Sequence, residues 1–229
     1  MLTKTERSFS LLFLFVLLLD LVCSSSQDLS PFRHITKPAI LTSLIIYFLV
    51  NQRGLSSFTR SFSLLALTLS LLGDVLLMLD EKNPNFFVAG LGSFLVAHIM
   101  YTMVFLKKSK ADRRIWLFLL VLAIYGLGLF YFIKDSLGLM LIPVLCYIIA
   151  IFSMVTAAYS RRGRVSRPSF YLVIIGAILF LLSDSMIAID KFLHPFSFSN
   201  IGIMLTYGIA QFLIVLGILK QNEWWPISN

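Results

Sequence analysis

The run Leu71-Leu72-Gly73-Asp74-Val75-Leu76-Leu77-Met78-Leu79-Asp80 sets a carboxylate inside an apolar segment long enough to cross a bilayer. Shifted by 110 positions, Leu181-Leu182-Ser183-Asp184-Ser185-Met186-Ile187-Ala188-Ile189-Asp190 repeats it with both aspartates in register. A charged side chain at the bilayer centre costs at least about 2.5 kcal/mol, so carboxylates in such runs face a bundle interior and mark functional sites by default. The pattern therefore indicates a polytopic membrane protein organised around Asp74 and Asp184.

Composition points the same way. Of 229 residues, 59% are hydrophobic and 13% charged, too few polar groups to coat a soluble globule. The formal charge of +8 does not indicate a nucleic-acid partner, because the basic residues lie in short connections between apolar runs. Cys23 and Cys146 are far apart in apolar segments, with neither a disulfide framework nor a metal-site spacing, and are expected to be packing residues.

Apolar runs and the turns between them place helices over 9–22, 39–50, 62–79, 86–106, 115–133, 138–159, 169–189 and 196–219. The expected fold is all-α, a single domain over 1–229 with about eight transmembrane helices. The first run resembles a signal peptide in its basic flank and trailing small residues, but Asp20 interrupts its apolar core, which favours a retained helix. Thr36-Lys37-Pro38 is expected to precede the second helix, with proline in the first turn, where the missing amide costs nothing. Trp224 and Trp225 read as an interfacial aromatic belt.

The loop charges give an orientation. Fourteen of the 19 Lys and Arg fall in the two termini and every second connection, which by the positive-inside rule are cytoplasmic. The third and seventh helices then run outward, with Asp74 and Asp184 at equal depth, roughly 9 Å from the outer helix ends at about 1.5 Å per residue. Four helices separate the two copies, so the halves (about 1–110 and 111–229) form a possible parallel repeat. An axis along the membrane normal would bring the aspartates together across a central cavity. At the same offset Phe86, Gly92 and Leu95 recur as Phe196, Gly202 and Leu205.

Other polar residues fall near that depth. His98 and Tyr101 are three apart on one helix face, and Ser93, Tyr207 and Gln211 are further cavity-lining candidates. Lys37 reads as a snorkelling anchor or a contact to a lipid phosphate. Asp80 and Asp190 read as interfacial charges. The stripes Ser63, Ala66, Ser70, Gly73 and Gly90, Ser93, Ala97 read as packing seams, although a cavity wall has the same pattern. Of the three histidines only His98 lies well inside a span, so neither a metal site nor a haem is expected. There is no Gly-x-Ser-x-Gly elbow, no phosphate-binding glycine loop and no cysteine near a histidine. Acid–base chemistry without a cofactor is what remains.

Thr36-Lys37-Pro38, Gly73-Asp74, the run from Gly92-Ser93-Phe94 through His98 to Tyr101, Ser183-Asp184, and Tyr207 to Ala210-Gln211 together resemble the YhhN family. This is a family of eight-helix membrane proteins that includes the lysoplasmalogenases. The resemblance covers nearly the whole chain. It implies hydrolysis of the vinyl ether bond of a lysoplasmalogen or related ether lysolipid, giving a fatty aldehyde and glycerophospho-ethanolamine or -choline. It also implies a small bacterial member in the inner (plasma) membrane, with a lysophospholipid and membrane lipids as partners.

That chemistry suits a carboxyl pair. A vinyl ether is cleaved by protonating its carbon–carbon double bond to an oxocarbenium ion, which water attacks, so the requirements are a protonated carboxylic acid and a carboxylate. Asp74 and Asp184 are the candidate catalytic pair, His98 and Tyr101 orient water or substrate, and Lys37 holds the phosphate. A proton-coupled transporter of small molecules or lipids, and a non-catalytic lipid-binding bundle in which the aspartates are mutual glue, stay open at this point.

Overall fold

A computed structural model describes residues 3–26, 28–80, 82–109 and 113–222. Its main helices are α1 (Lys4–Ser25), α2 (Arg33–Asn51), α3 (Ser57–Leu77), α4 (Pro84–Leu106), α5 (Ile115–Ile133), α6 (Leu141–Ser160), α7 (Arg167–Phe192) and α8 (Ser199–Leu219). Among the described residues there is no strand, and eight helices are long and apolar enough to cross a membrane. The protein is a multi-pass, all-α membrane protein. Trp224 and Trp225 lie outside the described residues.

Local chemistry sets the helix starts. Thr3 and Glu6 form a reciprocal capping box, Thr3 Oγ1 accepting from the Glu6 amide at 3.2 Å and Glu6 Oε2 accepting from the Thr3 amide at 2.7 Å. Ser56 and Ser166 cap α3 and α7 by accepting from the amides of Thr59 and Ser169, and Pro84 opens α4 behind Asn83. The second helix departs from expectation. It begins at Arg33 rather than Ala39, so Thr36, Lys37 and Pro38 all stand on it. Pro38 lies in the second turn, where only one internal bond is forgone, and the helix gains length enough to span.

The most intimate packing is between α3 and α4 and between α7 and α8, with α6 against α4 and α7. Small residues make this possible. Ser63, Ala66, Ser70 and Gly73 are buried on α3, and Gly90, Ser93 and Ala97 on α4, so the stripes are packing seams. The α7–α8 seam is tighter still: a Cβ on Gly176 would stand 2.8 Å from the Ala210 carbonyl oxygen and 3.1 Å from the Ile214 amide nitrogen.

Around this centre α1 packs on α2 and α8. Phe9 stacks on Tyr47 with ring centroids 3.8 Å apart, and Phe13 stacks on Phe212 at 4.8 Å. Glu6 pairs with Lys220 at 2.7 Å, tying the start of α1 to the end of α8. Arg161, beyond the end of α6, is fully buried against the Phe105 ring and donates to Ser169 Oγ at 3.2 Å and Gln221 Oε1 at 3.4 Å. Burial pulls its guanidinium down to about 10. Cys23 packs as expected, whereas Cys146 is exposed on the outside of α6, a position that a membrane protein presents to lipid.

Gly176→Ala is expected to lower stability by about 1–3 kcal/mol, because the new methyl meets backbone rather than a side chain that can move. Gly92→Ala, with nothing within 4 Å of its Cβ, is the matched control and should hold or slightly raise the thermal midpoint in detergent.

Candidate active site

Three carboxylates lie between helices, Asp20 and Asp74 buried and Asp184 half-buried, each with different company. Asp20, on α1, is fully buried; it accepts from Thr36 Oγ1 at 2.6 Å and stands 3.9 Å from Arg33 Nε, both on α2. Asp74, on α3, is 2% exposed. It accepts from the Tyr207 hydroxyl of α8 at 2.8 Å and lies 3.8 Å from Lys37 Nζ of α2. Asp184, on α7, accepts from the Tyr147 hydroxyl of α6 at 2.6 Å, and His98 Nε2 of α4 is 3.6 Å from the same oxygen.

The helical start of α2 decides the fate of Lys37. Its side chain is 12% exposed and turned inward onto Asp74, rather than snorkelling to the membrane surface. A buried carboxylate offers more than the interface does, since each charge neutralises the other where water is scarce. Lys37 beside Asp74 and Tyr147 beside Asp184 are themselves 110 positions apart, as the two aspartates are.

The remaining predicted residues divide. His98 is fully buried, meets Tyr147 and Phe180 edge-on, and neither ring nitrogen has a hydrogen bond. Tyr101 donates to Gln211 Oε1 at 2.7 Å in a closed α4–α8 contact, and Gln211 Nε2 is left without a hydrogen bond. Ser93 spends its hydroxyl on the Leu69 carbonyl at 2.6 Å, so it joins α4 to α3 instead of facing a cavity. Asp80 pairs with Lys191 at 2.7 Å, and Asp190 accepts from the Phe196 amide at 3.3 Å.

A cavity of ≈ 60 Å³ lies between α3, α4, α5, α6 and α7. Its wall is apolar, including Phe87, Leu91, Phe94, Ile133, Val144, Phe152 and Phe192, and its polar side chains are Tyr147, Asp184 and Ser185. It does not reach Asp74, contrary to the expected central cavity between the two aspartates. Phe94 occupies that space: it lines the cavity, fills the place a side chain on Gly73 would take, and meets Tyr207 edge-on at 5.8 Å. Asp184 is thus the carboxyl group an apolar ligand in this cavity would touch. On the lining α5, Tyr125 donates to Ser185 at 2.7 Å.

Sequence reasoning passed over Tyr147 and Asp20. Asp20 carried a legible signal, a carboxylate in an apolar run, but it was read as a flaw in that run. Tyr147 carried none of its own, since one tyrosine among many acquires a role only when folding brings it to Asp184.

These features define a polytopic helical membrane protein with carboxylates set between its helices, one of them in the wall of an apolar cavity. The YhhN family model matches residues 32–218, and the chain belongs to that family. Among similar proteins, lysoplasmalogenase TMEM86A of Bos taurus is 31% identical over 76% of this chain and 70% of its own length. Lysoplasmalogenase TMEM86B of Homo sapiens is 30% identical over 68% of this chain and 62% of its own. A lysoplasmalogenase of Mycobacterium bovis is 31% identical over 69% of this chain and 60% of its own. The chain therefore spans 60–70% of these relatives' lengths. No solved structure matches.

Asp74→Leu should destabilise the protein by about 3–5 kcal/mol, because Lys37 is left as an uncompensated buried charge. The double variant Asp74→Leu/Lys37→Met should recover most of that loss. Thermal unfolding of the three proteins in one detergent reads the coupling, and additive losses would exclude it.

Proposed function

We propose that the protein is a membrane hydrolase that cleaves the vinyl ether bond of lysoplasmalogens, releasing a fatty aldehyde and the glycerophospho-ethanolamine or -choline. Family membership and the names of the relatives support the reaction class. The observation that carries the assignment to this site is a single carboxyl group, Asp184, set in the wall of an otherwise apolar cavity between helices. We place the chain in a bacterial plasma membrane with both termini cytoplasmic, as the distribution of Lys and Arg among the connections supports.

The roles of the two aspartates follow from their neighbours. Lys37 stands beside Asp74, whereas Asp184 has a phenol and an imidazole beside it and, among the described residues, no Lys or Arg within 4 Å. Asp184 is therefore the proton donor and Asp74 the carboxylate that keeps its charge. The Asp184 proton goes to the vinyl carbon remote from oxygen, and the π electrons form that carbon–hydrogen bond, leaving an oxocarbenium ion. The Asp184 carboxylate then faces the cation and accepts a proton from the water that adds to it. As the hemiacetal breaks its bond to the glycerol oxygen, that oxygen takes the proton held by Asp184, the hemiacetal hydroxyl gives up its own proton to the Asp184 carboxylate to form the C=O bond, and the aldehyde departs along the chain cavity.

The other residues position this centre. Tyr147 holds one oxygen of Asp184, with His98 Nε2 packed 3.6 Å from it, which leaves the other for the substrate. Asp74 and Tyr207 set the Phe94 wall from behind, with the Asp74 charge balanced by Lys37. Lys37 is engaged by Asp74, so its role is to fix that carboxylate rather than to hold the phosphate.

Asp184→Asn should reduce aldehyde release from lysoplasmalogen by about 10²–10⁴-fold, the usual worth of a general acid, and Asp74→Asn by at least about tenfold. Turnover in D₂O should place one deuterium on the carbon next to the aldehyde, and the saturated alkyl ether should not be cleaved. Full activity in both asparagine variants, or an aldehyde without the label, would overturn the mechanism. Movement of the intact lipid across sealed liposomes without aldehyde release would favour a carrier instead.

A further inference from the structure

The cavity that touches Asp184 ends further along α7 at Phe192, whose ring meets that of Phe87 edge-on at 6.0 Å; both line it. Beside this aromatic mouth Lys191 Nζ stands 4.7 Å from the Phe87 ring centroid and pairs with Asp80 Oδ2 at 2.7 Å. The pair is exposed, 43% at Lys191 and 22% at Asp80. Such pairs contribute little to stability, because water competes for both partners. Lys191 and Asp80 can therefore exchange one another for the charges of a ligand at small cost.

Spacing and charge say which ligand. Lys191 lies seven residues beyond Asp184, about 10 Å along the helix at roughly 1.5 Å per residue. The glycerol and phosphate of a lysolipid bridge a comparable length, so a phosphate at Lys191 brings the vinyl ether to Asp184 and the chain into the apolar cavity. The Lys191–Asp80 pair sets one cation against one anion, and the cations Lys37 and Arg33 are matched by Asp74 and Asp20. A Lys–Asp pair offers no surplus cation to a net-anionic headgroup, but it matches a zwitterion charge for charge. Once Lys191 turns to the phosphate, Asp80 and the uncovered Phe87 face are both acceptors for an ammonium group.

We propose that Asp80 and Lys191 form the headgroup subsite, selecting lysolipids with a zwitterionic phosphate–ammonium headgroup over headgroup-free and net-anionic ones. The proposal rests on the lysolipid reading of the cavity given above. Asp80 and Lys191 touch no reacting atom; they set which substrate is held and at what depth.

The test uses the full-length protein in detergent and three uncleavable saturated ethers with one chain: 1-O-alkylglycerophosphoethanolamine, 1-O-alkylglycerophosphate and 1-O-alkylglycerol. Binding is read by calorimetry, and KM and kcat with the matching vinyl ethers. Lys191→Gln should weaken the ethanolamine lipid about tenfold, near 1.4 kcal/mol, and leave the alkylglycerol unchanged. Asp80→Asn should weaken the ethanolamine lipid similarly yet strengthen the alkylglycerophosphate, because it frees Lys191, and kcat should hold in both variants. Equal losses on all three lipids, or no change on any, would overturn the subsite. So would wild-type binding that ignores the headgroup. Headgroup-selective binding without aldehyde release would overturn the hydrolase reading alone and leave the subsite standing.

Discussion

A carboxylate removed from water must be answered by protein groups, and in this molecule those groups come from other helices. Asp20 holds α1 to α2 through Thr36 and Arg33, and Asp74 holds α3 to α2 and α8 through Lys37 and Tyr207. Asp184 joins α7 to α6 through Tyr147, and His98 of α4 lies against the same oxygen at 3.6 Å. Seven of the eight spans thus meet at a carboxyl group. Because lipid offers such groups no alternative partner, the residues that suit the chemistry also set the relative positions of the helices. Replacing one of them changes both, which is why paired variants and turnover have to be measured together.

Packing supplies what polar bonds alone do not. Between apolar helices in lipid the gain comes from close contact rather than from expelling water, so small residues gather where backbones approach. The seams of α3 with α4 and α7 with α8 follow this rule, with Gly73 under Phe94 and Gly176 against the α8 backbone. The least buried span, α5, meets the rest through Gly126 against Phe152 and the Tyr125–Ser185 bond, and it forms one side of the cavity.

Much of this was legible in the chain. Eight apolar runs, the register of Asp74 with Asp184, and the small-residue stripes all rest on local composition and spacing, which the membrane makes unusually informative. Pro38 suggests a helix entrance, whereas in the fold four residues ahead of Lys37 already belong to α2. Lys37 was assigned to the surface for the same reason. Ser93 was counted as a cavity hydroxyl although serine in a span often bonds a backbone carbonyl, as it does here to Leu69.

By itself the sequence determined the class of fold, the number of spans and the presence of two carboxylates whose burial demands a function, since hydrophobic length and the cost of a charge in lipid are local properties. Only the tertiary structure decided what each carboxylate faces. Lys37 beside Asp74, Tyr147 and His98 beside Asp184, and Phe94 between Asp74 and the cavity are contacts between helices distant in the chain. They depend on how each helix is rotated and how deeply it is set, which follows from packing summed over the whole bundle and from no single segment.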